Sequence, residues 1–395
     1  MLPPRAGIIA TLARGHSFNK IMQLKIVKHQ ILYKDNRFHA AFPSIIKLDN
    51  GELLLAFRRA RDCNWLLKGD GEFDPLASMD HLDSRSHICL INFNENLEEI
   101  GGPRIYPIDP EVADQDPSLL NIGDSKVLLA GFSWYPLPGY IQKKLNSNKV
   151  AKKVADSTGC AYRFWGAYCG FSDDDGKTWQ SHHEYLLKNN VSNENTRTRK
   201  VAGATRGQAI QVKDELLLAN YEGDGSCCLW SSSDFGFNWI KKSVIAKDSN
   251  NHVIFQEPSL YRCPSGKLVA FMRTSGASLR MASAQSFDNG NSWEYFQLHD
   301  IKGQPFHAIP INNDYMMLSY GFRESPFGVR CKLIDAECEF IDSTQELIIR
   351  DDSPCADCGY PWTVKLTEDR FLVTYYIPDK SGFRYIDGTV LALEK

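Results

Sequence analysis

The sequence lacks any apolar stretch of about 18 residues, the length a membrane-spanning helix needs, so no membrane insertion is expected. It has little net charge: 45 Lys and Arg against 48 Asp and Glu leave −3, which argues against nucleic acid or an anionic membrane as partner. It lacks a pairing pattern among its cysteines. The 11 are odd in number and scattered, whereas a secreted chain would pair them, so reduced thiols and a cytoplasmic setting are expected. Cys355 and Cys358 have no second pair at ligand spacing and read as loop thiols rather than half of a zinc site or a redox pair. No cluster demands a metal, and no cofactor is expected. A secretory signal is also missing, because the apolar run Gly7–Ala13 is short, is broken by Thr11 and precedes no small-residue cleavage site. Residues 1–22 read as a disordered tail, with Met22 an alternative start, and residues 23–395 as one domain.

What is present is β-rich and repetitive. Hydrophobic residues make up 43% and aromatics 11%, enough for a sizeable core. Glu257 to Trp293 reads as one four-stranded unit: short apolar runs, a Pro264-Ser265-Gly266 turn, then an octet Ser286-x-Asp288-x-Gly290-x-Ser292-Trp293. In that octet the Asp side chain can satisfy turn N–H groups, Gly takes a positive φ, and Trp plugs the gap to the next unit. The octet recurs at Ser172–Trp179 and at Ser232–Trp239, the latter with Asn238 where Ser or Thr is expected. Such spacing marks a propeller.

A second period counts the blades. Phe42-Pro43, Asp116-Pro117, Arg206-Gly207, Glu257-Pro258, Gln304-Pro305 and Tyr360-Pro361 each open a β-rich run, and Arg58, Phe132, Glu222, Arg273, Tyr320 and Tyr376 follow at one common offset. The expectation is an all-β, six-bladed propeller. The alternating segment Leu24–Tyr33 would complete the last blade and remove an exposed edge. Cys63–Ser86 and the basic stretch Leu137–Thr158 are long insertions, and Asn189–Lys200 is a polar connection. In a propeller the starts of the inner strands meet around one funnel. The predicted ring is Asp116, Arg206, Glu257, Gln304 and Tyr360, with Arg58, Glu222, Arg273, Tyr320, Tyr376 and Arg323 nearby. Any one of these is also readable as a rim residue paired to its neighbour. Together they suit an anionic or polyhydroxylated ligand, because Arg offers a planar donor fork to carboxylates.

The three octets resemble the Asp-boxes (BNR repeats) of the sialidase, or neuraminidase, superfamily, and the six-blade count agrees with its propeller. The resemblance covers Phe38–Lys395. Glu257-Pro-Ser-Leu through Arg273 is similar to the segment holding that family's glutamate and second clamp arginine. Tyr320-Gly-Phe-Arg323 is similar to the one with the third arginine, and Gly359-Tyr360-Pro361 to the one with the tyrosine nucleophile. The resemblance implies a glycan substrate bearing a terminal sialic acid or related acidic sugar, with Tyr360 as nucleophile, Glu257 its base, and Arg273 and Arg323 the clamp. By position it implies Asp62 as acid, although Asp70, Asp74, Asp80 and Asp83 share the same insertion.

One feature departs from the family. Ala41 stands where the first clamp arginine belongs, so Arg58 and Arg206 become the candidate replacement cations. His39 reads either as a strand residue turned to solvent or a neighbour, or as an imidazole contacting sugar. Beside an exo-sialidase-like hydrolase, two other readings stay open: a glycosidase for a different sugar, and a non-catalytic carbohydrate-binding propeller. A scaffold for protein partners has less support from a funnel this polar.

Overall fold

The computed structural model describes residues 22–62, 83, 85–137, 161–180, 203–277 and 279–394. These residues form six sheets and no helix. A first strand, β1 (Gln23–Tyr33), precedes the blades. Blade one holds β2 (Phe38–Lys47), β3 (Leu53–Arg61), β4 (His87–Phe93) and β5 (Glu99–Ile105). Blade two holds β6 (Ala113–Gly123), β7 (Lys126–Leu137) and β8 (Ala161–Ser172). In blade three β9 (Ala204–Thr205) and β10 (Ile210–Val212) both pair with β11 (Glu215–Tyr221), followed by β12 (Cys227–Ser232) and β13 (Ile240–Ala246). Blade four is β14 (Ile254–Arg262), β15 (Leu268–Ser275), β16 (Arg280–Ser286) and β17 (Gln297–Lys302). Blade five is β18 (Phe306–Pro310), β19 (Tyr315–Phe322), β20 (Phe327–Asp335) and β21 (Glu346–Ser353). Blade six is β22 (Gly359–Thr367), β23 (Arg370–Pro378) and β24 (Arg384–Glu394), and β1 lies antiparallel on β24 as its outermost strand. The expected closure by the first strand is therefore present. The insertion residues 63–82, the stretch 138–160 and the connection 189–200 lie outside the described residues.

Each blade is sandwiched between two others, which explains why its middle strands are apolar without alternation. In β3, Leu53 and Leu55 pack toward blade six while Leu54 and Ala56 pack toward blade two. Six apolar clusters fill the gaps from blade to blade, including the gap from six back to one. Each fully buried Leu, Val or Phe in them stabilises the fold by roughly 1.5–3 kcal/mol. Polar ties cross the same gaps. Three of the blade-opening Xaa-Pro dipeptides are followed by a serine that makes such a tie: Ser44 Oγ accepts the Leu119 N–H at 2.8 Å, Ser118 Oγ donates to the Gly207 carbonyl at 2.9 Å, and Ser259 Oγ accepts the Ala308 N–H at 3.3 Å. Between blades four and five, His299 bridges Ser283 Oγ at 2.8 Å and Asp342 Oδ2 at 2.9 Å. Ser283 is buried, so this Ser–His–Asp chain is an interblade tie rather than an accessible nucleophile.

The octets fold as the sequence predicts. Asp174 Oδ1 accepts the Thr178 N–H at 2.8 Å, Asp288 Oδ1 accepts the Ser292 N–H at 2.9 Å, and Asp234 does the same for Asn238 at 2.8 Å. Hydrogen bonds from the Ser292 hydroxyl and backbone hold Asp288 at about 2, below the ordinary carboxylate range. The tryptophans correct one expectation. Trp179, Trp239 and Trp293 pack into the clusters shared with the preceding blade, not the next one. The glycines report the same direction, since a Cβ on Gly176 would meet Leu54 of blade one. The nine cysteines among the described residues are free, Cys355 and Cys358 included. Burial pushes the thiols of Cys89 and Cys358 up to about 11, away from reactive thiolate.

Candidate active site

Four of the blade-opening dipeptides share one backbone device. The ladder breaks between Ala41 and Ser44, Gln115 and Ser118, Gln256 and Ser259, and Gly359 and Trp362. Proline has no N–H to donate, so it belongs in such a bulge. The residue before it turns left-handed: φ is 57° at Phe42, 38° at Asp116, 49° at Glu257 and 51° at Tyr360. Side chains rarely adopt this conformation, and strained residues of this kind cluster at functional sites. The bulge lifts each of them out of its sheet. This is how the repeat delivers Glu257 and Tyr360, from blades four and six, to one place.

There the Tyr360 hydroxyl donates to Glu257 Oε1. Arg273 Nη1 donates to both Glu257 oxygens at 3.1 Å and lies 3.4 Å from Tyr360 Oη. The Arg323 guanidinium stacks 5.2 Å from the centre of the Tyr360 ring. Burial alone would raise the Glu257 pKa, but Arg273, the Tyr360 hydroxyl and Arg323 together outweigh it and hold the carboxylate below its ordinary value. Tyr360 moves the other way: burial, then the Glu257 charge, push its phenol up. Arg273 and Arg323 are raised as well, because carboxylate and phenol neighbours outweigh the cost of burying them. The Nε of each arginine is buried with no hydrogen-bond partner.

A second chain of contacts joins the other side. Asp62, one residue past β3, is buried and lies 3.3 Å from His39 Nε2. His39 stacks on Phe383, with ring centres 5.2 Å apart, and its Nδ1 faces the Arg384 N–H at 3.4 Å. The Arg384 side chain holds Asp357, which accepts the Tyr376 hydroxyl at 2.6 Å, and Tyr376 in turn receives Arg323 at 3.2 Å. Phe42 packs against both Tyr360 and Tyr376, with ring centres 4.7 and 5.4 Å away.

Several expected site residues sit differently from the sequence reading. Glu222 is not in the funnel; it pairs with Lys241 at 2.9 Å. Tyr221, one residue earlier, takes that place and feels the charges of Glu257, Asp116 and Tyr360. The offset slips because blade three opens on Arg206-Gly207, without proline, and its inner strand is split. Tyr320 turns into the cluster between blades four and five and donates to Glu346, because Phe306 pairs with it in an unbroken register. Gly321 lies beside Gln304 instead, with its carbonyl accepting the Gln304 N–H at 2.8 Å. Gln304 itself is buried with Oε1 unpartnered. Arg206 lies beneath the floor, its Nη2 donating to the carbonyls of Tyr360 at 3.1 Å and Pro43 at 3.3 Å, which suits a support better than a ligand contact. Asp116 is buried close to it, and its charge reaches Arg206 and Tyr360. Arg58 is fully buried and stands directly opposite Ala41 in the ladder. His39 contacts Asp62 rather than a sugar-facing surface. Asp83 is spent on Arg85 at 3.0 Å, and Asp70, Asp74 and Asp80 lie outside the described residues. Asp357 was missed altogether; its loop carries none of the repeat signals.

No family model matches the chain, and neither does any curated protein. A protein of unknown function from Dyadobacter fermentans DSM 18053 superposes with a TM-score of 0.81 at 31% identity, covering 94% of this chain and 99% of that one. The chain belongs to the same family. A point mutant of the NanB sialidase from Streptococcus pneumoniae matches at 14% identity with a TM-score of 0.61, over 92% of this chain and 71% of that one. The leech intramolecular trans-sialidase matches at 14% and 0.55, over 92% and 70%. A Trypanosoma rangeli sialidase matches at 12% and 0.54, over 89% and 53%. At these identities the shared property is the fold: the family has a sialidase-like six-bladed propeller.

Proposed function

We propose that the protein is a sialidase-like exo-glycoside hydrolase that releases a terminal sialic acid or related acidic sugar from a glycan. The observation that carries this reading is the Tyr360 hydroxyl bonded to the Glu257 carboxylate between two arginines. Glu257 takes the phenol proton as Tyr360 Oη bonds to the anomeric carbon. Asp62 gives its proton to the departing glycosidic oxygen, and water then releases the sugar from tyrosine. A tyrosine nucleophile suits an anionic sugar, since a neutral phenol does not repel it. The carboxylate of the sugar would meet Arg273 and Arg323, whose guanidinium groups both lie against Tyr360.

Ala41 favours a second reading, in which the same machinery serves a different sugar or the propeller binds carbohydrate without cleaving it. The test is turnover of a 4-methylumbelliferyl sialoside by wild type and by Tyr360→Phe, beside incubation with 2,3-difluorosialic acid. That reagent appears in the Trypanosoma rangeli complex described as a covalent intermediate. Expected are loss of turnover in the variant and a mass adduct mapping to Tyr360. Neither turnover nor adduct in wild type moves the conclusion to the second reading, to be pursued with a panel of other acidic and deoxy sugars.

A further inference from the structure

Arg323 is held differently from Arg273 and Arg384. Glu257 faces Arg273 at 3.1 Å and Asp357 holds Arg384, so each of those cations has a carboxylate against it. Arg323 is met by two phenols instead. Its Nη2 donates to Tyr376 Oη at 3.2 Å, and its guanidinium lies 5.2 Å from the centre of the Tyr360 ring. The two rings are themselves 5.8 Å apart. The chemistry of the groups fixes the direction of each hydrogen bond. Tyr376 Oη lies 2.6 Å from Asp357 Oδ1, and an ionised carboxylate only accepts, so the single phenolic hydrogen goes there. A lone pair of Oη is thereby left facing the Arg323 N–H. Burial and then the Asp357 charge push the Tyr376 phenol up, which keeps that hydrogen in place at neutral pH. Phe42 packs edge-on against the Tyr376 ring, 78° between planes and 5.4 Å between centres, and so fixes where Oη stands.

We infer that Tyr376 is a positioning residue that aims the Arg323 guanidinium at the ligand through a neutral hydroxyl. A carboxylate at that point would hold the arginine as firmly but would cancel its charge, as Glu257 does for Arg273. The hydroxyl fixes the geometry and leaves the charge for an anionic ligand. Tyr376 is fully buried, so it acts through Arg323 rather than on the sugar. This inference rests on the hydrolase reading above and goes beyond it: Arg323 is the principal counter-charge for the sugar carboxylate, and Tyr376 sets its aim.

The experiment has two readouts on the full chain. The first is turnover of the 4-methylumbelliferyl sialoside in a double-mutant cycle. Tyr376→Phe keeps the ring against Phe42 and removes only Oη. It should raise KM about 10-fold, the scale of one hydrogen bond to a charged group, and leave kcat within about 2-fold. In an Arg323→Met background the same change should alter KM by less than about 2-fold, because the group it aims is gone. A rise of equal size in both backgrounds, or a loss confined to kcat, overturns the inference. The second readout needs no substrate. Proton–nitrogen spectra of arginine-labelled protein, with the Arg323 signals identified by their absence from Arg323→Met, should show its Nη groups held against rotation in wild type and rotating freely in Tyr376→Phe. Free rotation in wild type, or restraint that survives in Tyr376→Phe, overturns the inference. No turnover by wild type would instead remove the hydrolase reading, while the restraint on Arg323 still decides whether Tyr376 holds it.

Discussion

Glu257 is a buried carboxylate kept ionised by its neighbours, and that makes its titration a measure of the site. Burial pushes its pKa up, and Arg273 is the largest influence pushing it down. The balance leaves the folded value below the ordinary 4.5. If Glu257 is the base for Tyr360, the acid limb of kcat/KM lies below that pH, since activity is lost only as pH falls through the depressed value. Arg273→Met removes the main opposing cation and leaves burial dominant, so the limb should move up in pH on a neutral aryl glycoside or the sialoside alike. A pH profile with an unmoved or lowered limb would detach Glu257 from the base role. These residues were legible because each stands at a fixed offset from a dipeptide that forms a bulge. Asp357 and Tyr221 were not, for opposite reasons. Asp357 lies in a loop with no periodic signal, and Tyr221 lies one residue off a period that holds only where proline makes the bulge. The pairing of His39 with Asp62 joins residues from two strand ends, and no spacing along the chain announces it.

The octets show the same logic one level up. Three segments with one spacing fold to one geometry, and the residue before each glycine is left-handed: φ is 59° at Asp175, 59° at Phe235 and 58° at Asn289. Asp and Asn tolerate this conformation by bonding locally, whereas phenylalanine does not. Phe235 is also 54% exposed, with the Lys126 ammonium over its ring at 5.4 Å. Replacing it by Asn relieves the backbone at the cost of an exposed cation–ring contact of about 0.5 kcal/mol. Replacing it by Ala loses that contact and keeps the strain. Phe235→Asn should therefore be more stable than Phe235→Ala by about 1 kcal/mol in urea unfolding, the size of the left-handed penalty. Equal stability of the two variants would show that the turn carries no such strain. The turn itself was readable from sequence, but the packing direction of its tryptophan was not, because a repeat unit looks alike to both of its neighbours until the ring of blades is assembled.

At the scale of the whole molecule, the ring is closed by eleven residues at the start of the described chain. β1 pairs with β24 from Gln23–Glu394 to Tyr33–Ile386, and it also grips blade one. Gln30 Nε2 donates to the Leu97 carbonyl at 2.7 Å, Arg59 donates to Tyr33 Oη at 3.3 Å, and the Tyr33 and Phe57 rings lie 4.6 Å apart. Leu32 and Tyr33 belong to the cluster between blades six and one. The alternation of Leu24–Tyr33 showed a strand, and the need to cover an edge showed where it goes; neither shows that it fastens two blades at once. Losing two buried side chains of this size costs roughly 1.5–3 kcal/mol each. Stripping β24 of its partner adds an unpaired edge open to other chains. Against a typical total of about 5–15 kcal/mol, that is enough to open the ring. A chain beginning at Asp35 should lose its cooperative thermal transition and self-associate, and a peptide spanning residues 23–34 added in trans should restore the transition in proportion to its concentration. If the truncated chain melted at the temperature of the full one, closure would have to reside in the blade-to-blade clusters alone, and β1 would be only a cover on the last sheet.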